Sequence, residues 1–317
     1  MRPDPPGLLC PGPAPSPGPG RVLATIVRAE DAPGPTLVVR LDHLPVGALA
    51  LGVELARLRQ ALGGTAYANL HKIALYGSGP AARPGRDLDY RFVQVLPGGD
   101  FDFRAGCGHS LLACVVADGR PGPVTVRAVT TGETVLCEPE REPEPHGDAY
   151  TLSFLKAPTA PGTLPTGRPV DVLGGVPVSL VRYGNPYVFV DARHLPADED
   201  VLQDRLLVLR AEAARILDHP PRSALPKIAA FAAGPEGLSV RALTVDGWHP
   251  RLALTGAAAL AAAGALDGTV VPAPTGPIGT PGGTVTVSAA PDRVRVHHKR
   301  AKVLGRLELP WRIHATA

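Results

Sequence analysis

The stretch RAGCGHSLLACVVADG, residues 104–119, decides how the rest of the chain is read. It sets Cys107 between Gly106 and Gly108, then runs through apolar residues for the length of a short helix and stops at Gly119. The first N–H groups of a helix lack intrahelical partners, and the helix dipole adds partial positive charge there. Flanking glycines let a ligand approach those amides closely. A thiol in this setting stands where a carboxylate or enolate oxygen is received and where a proton can be moved. The segment therefore predicts proton-transfer chemistry on an organic acid, with Cys107 as acid or base. Its helix carries little charge and needs cover on most sides.

A strongly curved sheet wrapped around the helix supplies such cover. On the N-terminal side, VLATIVRA (22–29) and TLVVRL (36–41) read as strands about a Pro/Gly turn, and residues 46–63 as a helix with leucines on one side. NLHKIALYG (69–77), DYRFVQVL (89–96) and DFDFR (100–104) follow as strands. Beyond the helix come PVTVRAV (123–129), TGETVLCEPE (131–140) and YTLSFL (150–155), then a proline- and glycine-rich crossing at 156–171.

The second half repeats this order. PVSLV (177–181) and YVFVDA (187–192) precede a helix within 198–217; KIAAFAAG (227–234) and LSVRALTVDG (238–247) follow. HPRLALTGAAALAAAGALDG (249–268) then holds a second small-residue helix, from Thr255 to Gly268, before GTVTVSAA (283–290) and RVRVHHKRAKVLGRLEL (293–309). The expected fold is α+β: two pseudo-symmetric domains, each a curved barrel-like sheet around a central helix, with both helix starts facing one cleft. The boundaries are a Pro/Gly-rich tail at 1–20, a first domain at 21–172 and a second at 173–317, with the final segment free to pack back on the first.

Composition narrows the function. Hydrophobic residues make up 44% but aromatics only 4%, so the cores are aliphatic and rich in alanine. A net charge of +3 from 32 basic and 29 acidic side chains, without aromatic interleaving, speaks against nucleic acid as a partner. Cys10, Cys107, Cys114 and Cys137 match no zinc spacing, and a reduced, cytoplasmic setting is the default. Residues 1–20 lack the form of a signal peptide, and the apolar run 252–266 is too short to span a membrane. There is no nucleotide-binding glycine loop, HExxH or GxSxG, so no cofactor and no metal are expected.

Several blocks together resemble the PrpF family, the 2-methylaconitate cis-trans isomerases and related tautomerases, within the diaminopimelate epimerase-like fold. Residues 88–110, LDYRFVQVLPGGDFDFRAGCGHS, are similar to the segment carrying the family's GNCGN turn. LPTGRPVDV (164–172) resembles its PTG linker, YGNPYVFVDA (183–192) its NPxVFV strand, and KRAKVLGRLELP (299–310) its closing motif. LPKIAAFA (225–232), residues 243–263 and GTVVP (268–272) fall between them in order, so the resemblance covers roughly residues 22–310. It implies cofactor-free movement of a proton in an unsaturated carboxylic acid, with Cys107 and Lys72 as the catalytic pair. Where the family has asparagines about its cysteine, this chain has Gly106 and His109; where it has RGGTSKG, this chain has RAEDAPG (28–34), with Glu30 and Asp31.

Residue by residue, Gly106 and Gly108 expose backbone to the ligand, and His109 could meet a substrate carboxylate, tune the thiol or line the turn. Lys72, costly in an apolar strand without a partner, is either the second acid/base or a fixed cation. Thr255 and Gly256 stand at the position facing Cys107, where a two-cysteine epimerase would carry its second thiol; this favours a one-cysteine isomerase. Thr255 is a helix-cap or oxygen-binding candidate, Asn185 a turn residue or ligand contact, with His249, Arg28 and Lys299 as further carboxylate-binding candidates. Cys114 and Cys137 read as buried apolar cysteines, and His297 and His298 as solvated. Two other functions stay open: a diverged enzyme of secondary metabolism catalysing a cyclisation or rearrangement, and a non-catalytic ligand-binding scaffold. The expected partner is a small-molecule carboxylate, without nucleic acid or membrane, and a homodimer is compatible.

Overall fold

The structure, a computed structural model, describes residues 20–42, 44–45, 47–78, 87–140, 149–244 and 247–313; the expected tail up to residue 19, with Cys10, lies outside them. In the first half the elements are β1 (Arg21–Ala29), β2 (Thr36–Arg40), α1 (Ala48–Leu62), β3 (Lys72–Ser78), β4 (Leu88–Val95), β5 (Phe101–Asp102), α2 (Gly108–Asp118), β6 (Val124–Ala128), β7 (Thr134–Pro139) and β8 (Ala149–Phe154). The second half brings β9 (Asp171–Leu173), β10 (Val176–Tyr183), β11 (Asn185–Asp191), α3 (Glu199–Ile216), β12 (Lys227–Gly234), β13 (Gly237–Thr244), β14 (Gly247–Trp248) and α4 (Leu254–Gly264). β15 (Ile278–Thr280), β16 (Gly283–Val285), β17 (Val287–Ala290) and β18 (Arg293–Pro310) complete it.

The first sheet runs β1-β2-β3-β4-β6-β7-β8-β18, and β18 also pairs with β1, closing it into a barrel. Closure leaves no free edge among those strands. Inside lies α2, buried from Gly108 to Val115 and packed against β1, β2, β3, β4, β6 and β18. The helix, whose one acid, Asp118, is paired with Arg40 and Arg120, thus has the cover its apolar composition demands. The second sheet, β16-β15-β13-β12-β11-β10-β9, stays open. Its helix α4 is buried from Leu254 to Ala263 and takes its remaining cover from β17 and β18, which belong to the first sheet. The last strand therefore serves both halves.

Pseudo-symmetry is explicit in the pairing. β2 runs parallel to β3 across α1, and β11 parallel to β12 across α3. β4 pairs in parallel with β6 across α2, and β13 with β15 across α4. One core cluster contains α2, α4 and the inner faces of both sheets, whereas α1 and α3 each cover a smaller cluster on an outer face. The leucines Leu51, Leu55, Leu58 and Leu62, at helical spacing, form the buried stripe of α1. Asp198 caps α3 by accepting from the Val201 N–H at 3.1 Å.

The starts of α2 and α4 abut. A Cβ on Gly108 would lie 2.5 Å from Leu254 Cδ2, and one on Gly256 would lie 2.7 Å from Tyr187 Oη. Gly108 is thus a packing requirement of the joint between the halves, and Gly256 one within the second half. Across the same joint, Asp102 accepts hydrogen bonds from Ser223 Oγ (3.0 Å) and the Ala224 N–H (2.9 Å).

Candidate active site

Cys107 is the N-cap of α2, in extended conformation (φ −141°, ψ 107°), and its side chain makes no capping hydrogen bond. Its carbonyl accepts from the Leu111 N–H at 2.9 Å and from the Tyr90 hydroxyl at 3.0 Å, so the backbone of the turn is fixed. The thiol is half-buried, while Cys114 and Cys137 are fully buried. Burial pushes both of those thiols up from the usual range. Among the described cysteines, only Cys107 borders the cleft cavity between the halves.

The preceding residue is held from the other half. The Gly106 N–H donates to Asn185 Oδ1 at 2.7 Å, and Asn185 Nδ2 donates to the Gly106 carbonyl at 2.8 Å. The same Nδ2 lies 3.3 Å from Thr255 Oγ1. Asn185 is completely buried and follows Gly184, whose φ of +83° turns β10 into β11. Both ends of the Asn185 amide are therefore spent on positioning the cysteine turn.

A small cavity of about 50 Å³ opens at the joint. Lys72, Gln94, Cys107 and His109 line it from the first half; Lys227, His249, Ala253 and Thr255 line it from the second. Lys72 opens β3 and its ammonium reaches the Gly34 carbonyl at 3.4 Å. Lys227 opens β12, the pseudo-symmetric strand, so two cations enter one cavity from related positions. Desolvation holds the Lys227 ammonium below the usual lysine range; the nearby Cys107 opposes this, while Arg210 and Lys72 reinforce it. Lys227 was not among the sequence candidates. The signal was available, since KIAAFA (227–232) and KIALYG (72–77) each place a lysine at the head of an apolar strand.

His109 and His249 stack at this joint, with ring centroids 6.1 Å apart and planes 19° apart. Burial, then the charges of Lys72 and its neighbours, lowers His109 well below the usual range. Burial followed by Lys72 and Lys227 lowers His249 to about 4. Both imidazoles are accordingly neutral at neutral pH.

The altered RAEDAPG loop does not crowd the cavity with acid. Asp31 is buried and pairs with Lys299 Nζ at 2.5 Å and Arg251 Nη1 at 2.7 Å, so its charge is answered inside the protein. Lys299 is thereby engaged with Asp31 rather than presented to a ligand. Arg28 and Glu30 are exposed and line a separate cavity of about 470 Å³ with Arg300, Lys302 and Leu304, apart from Cys107 and Lys72. Alternate residues of a strand face opposite sides of the sheet, which directs Arg28 outward while Val27 and Ala29 point in.

One further position is corrected. The N-cap of α4 is Ala253, not Thr255, because Leu254 already belongs to the helix. By cap equivalence Ala253 faces Cys107, and Thr255 corresponds to His109. Gly256 is filled against Tyr187 and does not border the cavity. His297 and His298 bond Thr151 and Ser288, and Glu140, respectively, away from the site. Among the described residues, no three His, Cys, Asp or Glu side chains gather as a metal ion would need, and no helix is long and apolar enough to cross a membrane.

Comparison with known proteins follows the same lines. No family model matches the chain. It is 29% identical over 229 residues to YbhH of Escherichia coli, whose isomerase name is itself provisional, and equally to the Shigella flexneri protein of that name. The matched segment is 59% of this chain and spans 65% of those relatives' length. Among solved structures, methylitaconate-delta-isomerase superposes with a TM-score of 0.64 at 22% identity, covering 92% of this chain and 96% of that one. A hydroxyproline epimerase from Agrobacterium vitis, with bound trans-4-hydroxy-L-proline, gives 0.59 at 16% identity, covering 92% and 91%.

Proposed function

We propose that this chain, which shares its fold with methylitaconate-delta-isomerase and a hydroxyproline epimerase, is a cofactor-independent isomerase moving a proton in a small carboxylic acid. The observation that carries this reading is the single cavity in which Cys107, at a helix start, meets Lys72 and Lys227. The substrate carboxylate sits against the lysines and the free amides at the start of α2. Cys107 Sγ and Lys72 Nζ are the acid/base pair: one takes the proton from the carbon next to the activating group, the other returns it at the new position. The negative charge that builds on the substrate between the two transfers is held by the second lysine and the helix-start amides.

Ala253, at the place equivalent to Cys107, has no titratable group. That favours a thiol–lysine isomerisation, of the double-bond-shifting or tautomerising kind, over epimerisation by two thiols. One solved neighbour, methylitaconate-delta-isomerase, bears a name in keeping with this, while another is a hydroxyproline epimerase.

Incubation in deuterated buffer with a panel of unsaturated and oxo di- and tricarboxylates, followed by proton NMR, tests it. Carbon-bound deuterium and a shifted isomer are expected with the wild type, with loss of about a hundredfold or more in Cys107→Ala and in Lys72→Met. Exchange that persists unchanged in Cys107→Ala would overturn the reading.

A further inference from the structure

We propose that His109 and His249 together receive an uncharged oxygen, a ketone carbonyl or hydroxyl, that the carboxylate substrate carries beside the carbon exchanging its proton. The inference rests on the isomerase reading above and narrows its substrate to oxo or hydroxy acids.

The two rings are nearly parallel, both buried, and both border the cavity that holds Cys107. His249 Nδ1 accepts from the Arg251 N–H at 3.1 Å, which leaves the ring's proton on Nε2 as a donor. His109 Nε2 is buried without any hydrogen-bond partner, in a ring only 3% exposed. A buried imidazole nitrogen left unpaired beside an open cavity is a position a ligand satisfies. Other polar side chains there are already used: Gln94 Nε2 donates to the carbonyls of His71 and Val95, and the Asn185 amide holds Gly106.

Charge separates the two kinds of group. Lys72 and Lys227 answer the substrate's carboxylate, while burial first and then nearby cations, Lys72 for both rings and Lys227 for His249, keep the rings neutral. The Nε2–H of His249, joined by His109 in the tautomer with its proton on Nε2, matches an oxygen without full charge in the ground state, and these bonds strengthen as that oxygen gains charge in the transition state. The step balances as a tautomerisation. The base takes the proton from the carbon beside the ketone, the C–H pair becomes a C=C bond, and the carbonyl π pair moves to the oxygen held by the imidazoles. Reprotonation at carbon or at that oxygen closes the cycle without an oxidant.

The test uses a matched pair, 2-oxoglutarate and 2-methyleneglutarate, which differ by oxygen against methylene. Deuterium uptake at the neighbouring carbon gives kcat/KM for each acid in the wild type, His109→Asn and His249→Gln, each checked for folding by circular dichroism. The wild type is expected to favour the oxo acid, and the oxo/methylene ratio to fall at least tenfold in each variant. If a variant fails to fold, nitrogen-15 NMR of the wild-type imidazoles decides: the oxo acid should move the His109 Nε2 resonance, and the methylene acid should not. A ratio unchanged in the variants, or exchange confined to acids lacking oxo and hydroxyl groups, overturns the inference while Cys107-dependent exchange keeps the isomerase reading. No exchange with any carboxylate overturns both.

Discussion

The starts of α2 and α4 occupy equivalent places in two halves of one pattern, yet only one of them carries a thiol. Gly106-Cys107-Gly108-His109 offers a half-buried thiol, a glycine-flanked helix start and an imidazole. Ala253-Leu254-Thr255-Gly256 offers a methyl group, a packed leucine and a hydroxyl shared with Asn185. The strands beneath them are more alike: Lys72 and Lys227 each head an apolar strand and reach the same cavity. The fold has kept its symmetry where packing enforces it and lost it where the reaction is assigned. A symmetric shell with one thiol needs its second acid/base from elsewhere, and a lysine at a strand head is the group at hand.

Transplanting the thiol is the most severe way to break this comparison. Cys107→Ala is expected to lower deuterium exchange about a thousandfold. Adding Ala253→Cys to that variant should not restore it, because the second helix start lacks the open glycine turn. Restoration to within tenfold in the same NMR assay would mean the halves are interchangeable.

Acid probes the joint itself. His249 is held near 4 in the folded protein against about 6.5 for an unperturbed histidine. Between those values the unfolded chain binds a proton that the native chain refuses, so stability falls as pH drops from 6.5 towards 4. His109, also lowered, acts in the same direction. The share from His249 is on the order of 3 kcal/mol. Urea unfolding across this range should show the loss in the wild type and a flatter profile in His249→Gln.

The smallest effects sharpen the packing side. Gly108→Ala would drive a Cβ to 2.5 Å from Leu254 Cδ2, and Gly256→Ala to 2.7 Å from Tyr187 Oη. Each should cost about 1–3 kcal/mol in denaturant unfolding. Gly108→Ala should also slow exchange, since it moves the cysteine turn, whereas Gly256→Ala should leave the rate nearly unchanged.

Much of this was legible in one dimension. Helices with little or no charge, Cys107–Gly119 and the alanine run after Thr255, demanded cover by sheet, and the repeated order of strands pointed to two related halves. The cysteine turn and Lys72 follow from local chemistry, a thiol between glycines and a lysine in an apolar strand. What stayed hidden depends on contacts across the fold. Asp31 is neutralised by Lys299, 268 positions away, a pairing that the RAEDAPG stretch alone does not show. Asn185 reads as a turn residue until its amide is seen clasping Gly106, 79 positions earlier. Lys227 was visible in the pattern but gains meaning only when β12 is seen as the counterpart of β3. The last strand, β18, closes the first barrel and covers α4 together, and no local spacing encodes that double use.

The central claim, a thiol set beside two lysines in a carboxylate-receiving cavity, can be tested without knowing the substrate. Native protein is alkylated with iodoacetate or iodoacetamide at neutral pH, and the rate at each cysteine is followed by peptide mass spectrometry. The account predicts that iodoacetate modifies Cys107 at least tenfold faster than iodoacetamide does, an advantage lost in the Lys72→Met, Lys227→Met protein, with the buried Cys114 and Cys137 unmodified. Equal rates, or faster reaction with the neutral reagent, would contradict it.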